Sequence, residues 1–191
     1  MYLFFDTETT GLPRDWNAPV TNTANWPRMV QLAWLLYEPD GKLVKSNNHI
    51  IFPEGFTIPR DATALHGITT KMAVDQGENL STILKLLDTL VAESTLLVAH
   101  NMNFDERIIG AEFIRNKMKN VLAGKPKICT MESATPFCGI PGRYGYKWPK
   151  LSELHYKLFR THFDEAHNAA VDIAATAKCF WELKRLGVIA E

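Results

Sequence analysis

The stretch Leu3-Phe4-Phe5-Asp6-Thr7-Glu8-Thr9-Thr10-Gly11 decides how the rest of the chain is interpreted. The apolar run from Tyr2 to Phe5 predicts a buried strand, and Thr-Thr-Gly predicts a turn. Side chains alternate along a strand, so Asp6 and Glu8 should point the same way. Two acids on one side of a strand end repel each other in a partly dry site. A hard divalent cation with oxygen ligands would relieve that repulsion, although a solvated strand end is an equally simple interpretation.

The length and composition predict one domain with one hydrophobic core. The 191 residues predict a single domain spanning 1–191, and a hydrophobic share of 46% is enough for one core. Lys plus Arg and Asp plus Glu both number 21, which argues against a protein that coats duplex DNA by bulk charge. The N-terminus does not resemble a signal peptide, and apolar runs are too short to span a membrane, so we expect no membrane partner. Cys129, Cys138 and Cys179 lie far apart in the sequence, which fits a reducing cytoplasm rather than a zinc site.

Apolar spacing and turn signals predict an α/β order. The predicted strands cover 2–5, 29–37, 42–52, 95–99 and 127–130, and helices cover 61–66, 80–91, a stretch from an Asn103 cap to before Gly124, 151–159 and about 168–186. In the last helix we expect Ile173, Ala174, Ala177 and Trp181 to be buried. This order predicts an α/β fold with a mixed central sheet covered by helices.

A long loop rich in Pro, Asn and Thr is predicted from Leu12 to Pro27. It follows the acidic strand directly, and long loops in compact domains are often functional. Its two tryptophans, Trp16 and Trp26, could stack on nucleic-acid bases. The favoured interpretation is that they fix the loop to the body of the protein.

Two further acids lie where elements begin. Asp105 follows a predicted strand and falls in the first turn of a helix, where the helix dipole alone favours an acid. Asp172 lies among small residues in the last helix, and a solvent-facing aspartate is its structural alternative. His167 precedes Asp172 by five residues, or about 140° around a helix, so we place it in a loop or first turn beside the acids. A neutral imidazole there would be a suitable base for a water molecule, whereas elsewhere it would be a cap or surface residue.

Three segments together resemble the motifs of the DEDDh 3′→5′ exonucleases, which include the proofreading (epsilon) subunit of bacterial DNA polymerase III and its stand-alone relatives. The segments are Phe5-Asp6-Thr7-Glu8-Thr9-Thr10-Gly11, His100-Asn101-x-x-Phe104-Asp105 and His167-Asn168-Ala169-x-x-Asp172. The stretch from Ile58 to Thr69 is also similar. The resemblance covers about Tyr2 to Leu186 and implies a ribonuclease-H-like fold.

The resemblance also implies roles for individual residues. Asp6, Glu8, Asp105 and Asp172 would hold two Mg²⁺ or Mn²⁺ ions, and His167 would be the general base. Such cations lower the pKa of a water and neutralise charge on a phosphodiester under attack. The residues expected to bind the terminal nucleotide or line the site are Thr9, Leu12, His66, His100 and Asn101.

The implied function is release of nucleoside 5′-monophosphates from the 3′ end of single-stranded DNA, as in proofreading or repair. The same chemistry on RNA ends is the first alternative, and a non-catalytic nucleic-acid-binding module is the second. A binding module has no need of metal ligands that repel phosphate, and an RNase-H-type endonuclease has no need of the His-Asn-Ala-x-x-Asp pattern. The long loop and the lack of a segment after the last helix argue against a dedicated polymerase partner, although the family is compatible with one.

A basic and aromatic patch is the sequence's candidate for holding the strand. Positive charge suits the phosphate backbone, and aromatic rings suit unpaired bases. A solvated loop with one packed tryptophan is the alternative. The patch consists of Lys125, Lys127, Arg143, Tyr144, Tyr146, Lys147, Trp148 and Lys150.

Overall fold

The computed structural model describes residues 1–162 and 168–190. The strands in these residues are β1 (Tyr2–Thr9), β2 (Met29–Tyr37), β3 (Leu43–Ile50), β4 (Leu96–Ala99), β5 (Lys127–Cys129), β6 (Pro141–Gly142) and β7 (Gly145–Tyr146). The helices are α1 (Arg60–His66), α2 (Thr70–Gln76), α3 (Leu80–Glu93), α4 (Met102–Arg115), α5 (Thr130–Cys138), α6 (Leu151–Phe159) and α7 (Ala169–Arg185).

The predicted mixed sheet is confirmed, and the strand that carries the acids lies at its centre. The strand order is β3-β2-β1-β4-β5. Strand β1 is antiparallel to β2 and parallel to β4, and β5 continues the parallel half. Strands β6 and β7 form a separate small hairpin. Strand β1 pairs with β4 from Tyr2 to Phe4, and its pairing with β2 continues past Asp6 and Glu8, so β2 fixes the backbone that carries these two acids.

Helices cover both faces of the sheet, so β1 is apolar on both sides at its start. Leu3 and Phe5 pack with residues of α3 and α4 on one face. Phe4 packs with residues of α5, α6 and α7 on the other face. The strand alternation then directs Asp6 and Glu8 to the α7 face and Thr7 to the α4 face. The alternation that buries Phe4 on the α7 face therefore also determines that Asp6 and Glu8 point to that face.

Several local predictions were wrong. Helix α4 begins at Met102 rather than after an Asn103 cap, because Asn101 adopts the left-handed conformation (φ 73°) and turns the chain earlier. Asparagine tolerates this conformation better than most residues. Ala174 is exposed, and its neighbour Ala175 is buried instead. Strand β1 extends through Glu8 to Thr9.

Two short helices had not been predicted. Helix α2 has seven residues with only Ala73 buried, so it lacks an apolar repeat. Helix α5 contains Pro136, which usually indicates a break. Among the described residues, none of the helices is long and apolar enough to cross a membrane.

The predicted loop between β1 and β2 is present and firmly braced. Trp26 is 3% exposed, which confirms that it fixes the loop to the body. The carboxylate of Glu112 on α4 is fully buried and accepts hydrogen bonds from Nε of Arg28 at 2.9 Å and the backbone N–H of Met29 at 3.0 Å. The same oxygen lies 2.8 Å from Nη1 of Arg115, and Nη2 of Arg115 donates to the carbonyls of Thr23 and Trp26 at 2.6 Å. The loop is thus anchored at its base by one buried acid.

Candidate active site

Three carboxylates meet where β1 leaves the centre of the sheet. One oxygen from each of Asp6, Glu8 and Asp172 lies within 4.8 Å of the others. The first two come from alternate positions of β1, and Asp172 comes from the first turn of α7, which packs on that face. We call Asp6, Glu8 and Asp172 the acid cluster.

The fourth predicted acid approaches from the opposite face. Asp105 lies in the first turn of α4 and is 3% exposed. Its Oδ1 accepts hydrogen bonds from the backbone N–H of Thr7 at 3.0 Å and from the Thr7 hydroxyl at 2.7 Å. Thr7 therefore holds Asp105 against β1 between the two residues that contribute to the acid cluster. Sequence reasoning missed this role of Thr7.

The carboxylates destabilise one another's charged forms. Burial, followed by the charges of Asp105, Asp172 and Glu8, raises the pKa of Asp6 well above its usual value. Burial and the charges of Asp172 and Asp105 raise the pKa of Glu8 to about 8. Burial raises the pKa of Asp105 to about 7, although the hydrogen bonds from Thr7 oppose the shift. A bound cation would reverse these shifts, and an all-oxygen donor set suits a hard divalent ion. The residues therefore fit the divalent metal on which the family generally depends.

The start of α7 is fixed by two amide side chains. Asn168 caps the helix, and its Oδ1 accepts a hydrogen bond from the N–H of Ala170 at 3.0 Å. Oε1 of Gln31, on β2, accepts one from the N–H of Ala169 at 3.3 Å. Gln31 is also the strand partner of Glu8. Gln31 of β2 thus fixes the position of the first turn of α7, and with it the position of Asp172 relative to β1. Sequence reasoning also missed this role of Gln31.

His100 lines the cavity of about 430 Å³ that contains Asp6 and Asp172, together with Lys150. Its Nε2 is 3.1 Å from the carbonyl oxygen of Pro149, and its Nδ1 is 2.9 Å from the hydroxyl of Thr130. A carbonyl only accepts, so Nε2 carries the proton and Nδ1 accepts from Thr130. Burial lowers the pKa of His100 to about 4, which keeps the ring neutral. Both nitrogens are occupied, and the ring ties the start of α6 to the end of β4.

The other predicted site residues occupy different places around the cluster. Leu12 is 73% exposed just beyond the end of β1, and the Thr9 hydroxyl donates to the carbonyl of Gly11 at 2.7 Å. His66 is buried at the end of α1, where its Nδ1 accepts from the N–H of Ile68 at 3.1 Å. Its buried Nε2 has no hydrogen-bond partner in the described part of the chain. Asn101 stands at the turn between β4 and α4. Their roles in binding substrate stay predictions.

The predicted base, His167, lies outside the described residues. Its neighbour Asn168 is the cap of α7, so the described structure begins again one residue after it. Its role stays a prediction.

Two lysines of the predicted basic and aromatic patch form ion pairs. Lys127 pairs with Glu106 at 3.2 Å, and Lys147 pairs with Glu153 at 2.6 Å. Lys125 donates to the carbonyl of Ser94, just before β4. Lys150 lines the cavity of Asp6 and Asp172, and Trp148 lines another cavity. That the patch holds the strand stays a prediction.

The comparisons with known proteins agree with this arrangement. The model of the exonuclease family matches residues 3–180. A DNA polymerase III PolC-type of Streptococcus pyogenes is 30% identical over 177 residues, which are 93% of this chain and 11% of the polymerase. The zinc-bound E. coli ExoI–ssDNA complex superimposes with a TM-score of 0.76 at 20% identity, covering 96% of this chain and 40% of that one. A product-bound exonuclease I gives a TM-score of 0.74 at 19% identity, covering 96% of this chain and 43% of that one.

The mixed five-stranded sheet with its flanking helices has the ribonuclease-H-like fold. Within that fold class, the chain belongs to the exonuclease family and is of the DEDDh type, as its three acidic motifs predicted.

Proposed function

We propose that this nuclease removes nucleotides from the 3′ end of single-stranded DNA, releasing nucleoside 5′-monophosphates. The observation that carries the proposal is the convergence of Asp6, Glu8 and Asp172 to within 4.8 Å at the centre of an exonuclease fold. The solved relatives with similar folds include exonuclease I bound to single-stranded DNA, which supports the substrate. The match of the family model to residues 3–180 supports a single exonuclease domain over 1–191.

The proposed mechanism uses two Mg²⁺ or Mn²⁺ ions held by Asp6, Glu8, Asp172 and Asp105. When bound, such ions promote loss of a proton from the attacking water and stabilise charge on the phosphate and the departing 3′ oxygen. Four carboxylates approximately balance the charge of two divalent ions, so the site would not repel the phosphate strongly.

The protein's own groups would supply orientation and proton transfer. Thr7 holds Asp105 in place, and Gln31 and Asn168 hold the turn that presents Asp172. Lys150 lines the cavity and is suited to contact a phosphate oxygen of the strand. His167 would take the proton of the attacking water and release it to solvent. We assign it proton transfer because a neutral imidazole is a suitable base for a water molecule.

The polymerase match also bears on the biological setting. The matched part of the PolC-type relative is 11% of a polymerase chain, which favours a polymerase partner more than the sequence motifs did. Co-purification of the tagged chain with a replicative polymerase, compared with its Asp172→Asn variant, would test that association.

The function is tested with single-stranded DNA and RNA of the same sequence, labelled at either end, with Mg²⁺ and then with EDTA. We expect DNA labelled at its 5′ end to shorten stepwise, DNA labelled at its 3′ end to release the label first, and EDTA to stop both. Release from the 5′ end first, or internal cuts, would contradict the proposal. Faster shortening of RNA would assign the chain to RNA ends instead.

A further inference from the structure

The structure contains a second cavity next to the acid site that the exonuclease mechanism does not use. It has a volume of about 340 Å³, within the range of small-molecule sites. Its lining residues come from four separate parts of the chain, and we call it the tryptophan notch. They are Trp16, Asn101, Asn103, Met131, Glu132 and Trp148.

The two tryptophans are unusually accessible. Trp148 is 64% exposed and Trp16 is 43% exposed, whereas tryptophan is normally largely buried. The other loop tryptophan, Trp26, is 3% exposed, so fixing the loop does not require Trp16. Trp16 is nevertheless held in position, because its ring packs on Phe104 at 5.8 Å and its carbonyl accepts a hydrogen bond from Arg107.

The notch and the cavity of the acid cluster are lined by neighbouring residues of the chain. His100 and Lys150 line the cavity of Asp6 and Asp172, while Asn101 and Trp148 line the notch. The hydrogen bond from Nε2 of His100 to the carbonyl of Pro149 joins the two chain segments that supply these residues. We therefore expect one strand to contact both cavities.

The chemistry of the notch suits a base rather than a phosphate. Glu132 would repel a phosphate, whereas aromatic faces bind unpaired bases of any identity. The amides of Asn101 and Asn103 can bond to base edges. Lys150, which suits a phosphate, stands in the neighbouring cavity instead.

The sheet order places the notch on one side of the acid cluster. Strands β2 and β4 flank β1 on opposite sides. Asn101 and Asn103 follow β4, so the notch lies on the β4 side of the cluster.

We propose that the tryptophan notch binds an unpaired base of the strand that enters the acid site, stacked against Trp148 and Trp16. This inference rests on the proposed function for the kind of substrate. It explains a preference for single strands, because a base in a duplex is stacked and paired and could not enter the notch.

The test compares Trp148→Ala and Trp16→Ala with Trp148→Phe and Tyr156→Ala. Tyr156 is 42% exposed on α6 and lines neither the notch nor the cavity of the acid cluster, so it controls for a general aromatic surface. The probes are 5′-labelled dT oligonucleotides, one series intact and one lacking a single base at successive positions from the 3′ end. KM is obtained from nucleotide release, and affinity is obtained independently from fluorescence anisotropy.

We expect each Trp→Ala variant to raise KM by about 5- to 150-fold, the equivalent of one lost stack, with a smaller change in kcat. Trp148→Phe should retain most of the wild-type affinity, and Tyr156→Ala should resemble the wild type. One missing base should weaken binding to the wild type but not further weaken binding to Trp148→Ala. Equal penalties for the missing base in the wild type and in Trp148→Ala, or equal effects of Trp148→Ala and Tyr156→Ala, would overturn the notch.

The two proposals fail in different ways. A wild-type protein that binds the oligonucleotides but releases no nucleotide would refute the proposed function, and the anisotropy comparison would still decide for or against the notch. A wild-type protein that neither binds nor cleaves would refute both.

Discussion

Single residues of the acid cluster should limit the stability of the protein when metal is absent. Replacing Asp6 with Asn removes a charge that burial, Asp105, Asp172 and Glu8 all disfavour. We expect Asp6→Asn to abolish hydrolysis and to raise the melting temperature in EDTA near pH 8, by about 2–4 °C for each kcal/mol of repulsion relieved. The exposed Asp88 on α3 offers a matched control, and Asp88→Asn should change neither quantity. A lower melting temperature for Asp6→Asn would contradict the claim that repulsion among these carboxylates destabilises the metal-free protein.

The same crowding predicts how stability depends on pH. The pKa of Glu8 is raised from 4.5 to about 8 and that of Asp105 from 3.8 to about 7, so the folded state binds more protons than the unfolded state in this range. Their stabilising effect is complete below the unfolded pKa values and is lost as pH rises through the folded ones. We therefore expect the melting temperature in EDTA to rise as pH falls from about 8.5 to about 6.5.

Below about pH 6.5, the titration of His100 has the opposite effect on stability. The pKa of His100 is lowered from 6.5 to about 4, so protonation of the unfolded chain costs stability as pH falls below about 6.5. Saturating Mg²⁺ should flatten the profile between pH 6.5 and 8.5, since the bound ion keeps the acids charged. A metal-free melting temperature that rises from pH 6.5 to 8.5 would show that the acids are not destabilised by burial.

His167→Ala tests proton transfer. We expect the maximal rate to fall on the order of 10²–10⁴-fold while metal affinity stays nearly unchanged. The wild-type rate should rise with pH up to the imidazole pKa, and this acidic limb should be absent in the variant. A variant that loses metal affinity and recovers its rate at high Mn²⁺ would identify the histidine as a metal ligand instead.

At the level of elements, the loop of residues 12–28 depends on one buried acid of α4. Glu112→Gln leaves Arg28 and Arg115 without their carboxylate, and breaking a buried ion pair costs roughly 3 kcal/mol. The melting temperature should fall by about 6–12 °C, with a change in the fluorescence of the buried Trp26. Glu106→Gln, on the same helix, removes only the partly exposed pair with Lys127 and should cost less than about 1 kcal/mol. Equal effects of the two variants would contradict the anchoring role of Glu112.

Elements with a clear apolar pattern could be predicted from the sequence, whereas their mutual placement could not. Strand β2 and helix α6 have the predicted bounds, and helix α3 contains the whole predicted range 80–91. Short helices such as α2 bury too few residues to produce a pattern. The hydrogen bond from Thr7 to Asp105 requires α4 to pack against β1. The hydrogen bond from Ala169 to Gln31 requires the start of α7 to pack against β2. The spacing of residues along the chain predicts neither of these packing arrangements.

At the scale of the whole molecule, the sequence predicted only part of the candidate site, because the placement of distant segments relative to one another could not be predicted. The motifs identified Asp6, Glu8 and Asp172, because their chemistry and order in the chain are distinctive. The tryptophan notch combines a loop, the start of α4, the start of α5 and the segment before α6, and those parts become neighbours only in the folded protein. Likewise, the ion pairs of Lys127 with Glu106 and of Lys147 with Glu153 were not predicted from the sequence of the basic and aromatic patch.

The central claim is that the acid cluster holds the divalent ions on which hydrolysis depends. The most direct measurement titrates Mn²⁺ into the metal-free wild type and Asp172→Asn, counting bound Mn²⁺ by electron paramagnetic resonance while recording the release of nucleotides from 5′-labelled single-stranded DNA in the same samples. We predict that the rate follows occupancy in the wild type, and that Asp172→Asn loses both tight Mn²⁺ binding and turnover. Sustained turnover in EDTA, or wild-type turnover by Asp172→Asn without bound Mn²⁺, would contradict the claim.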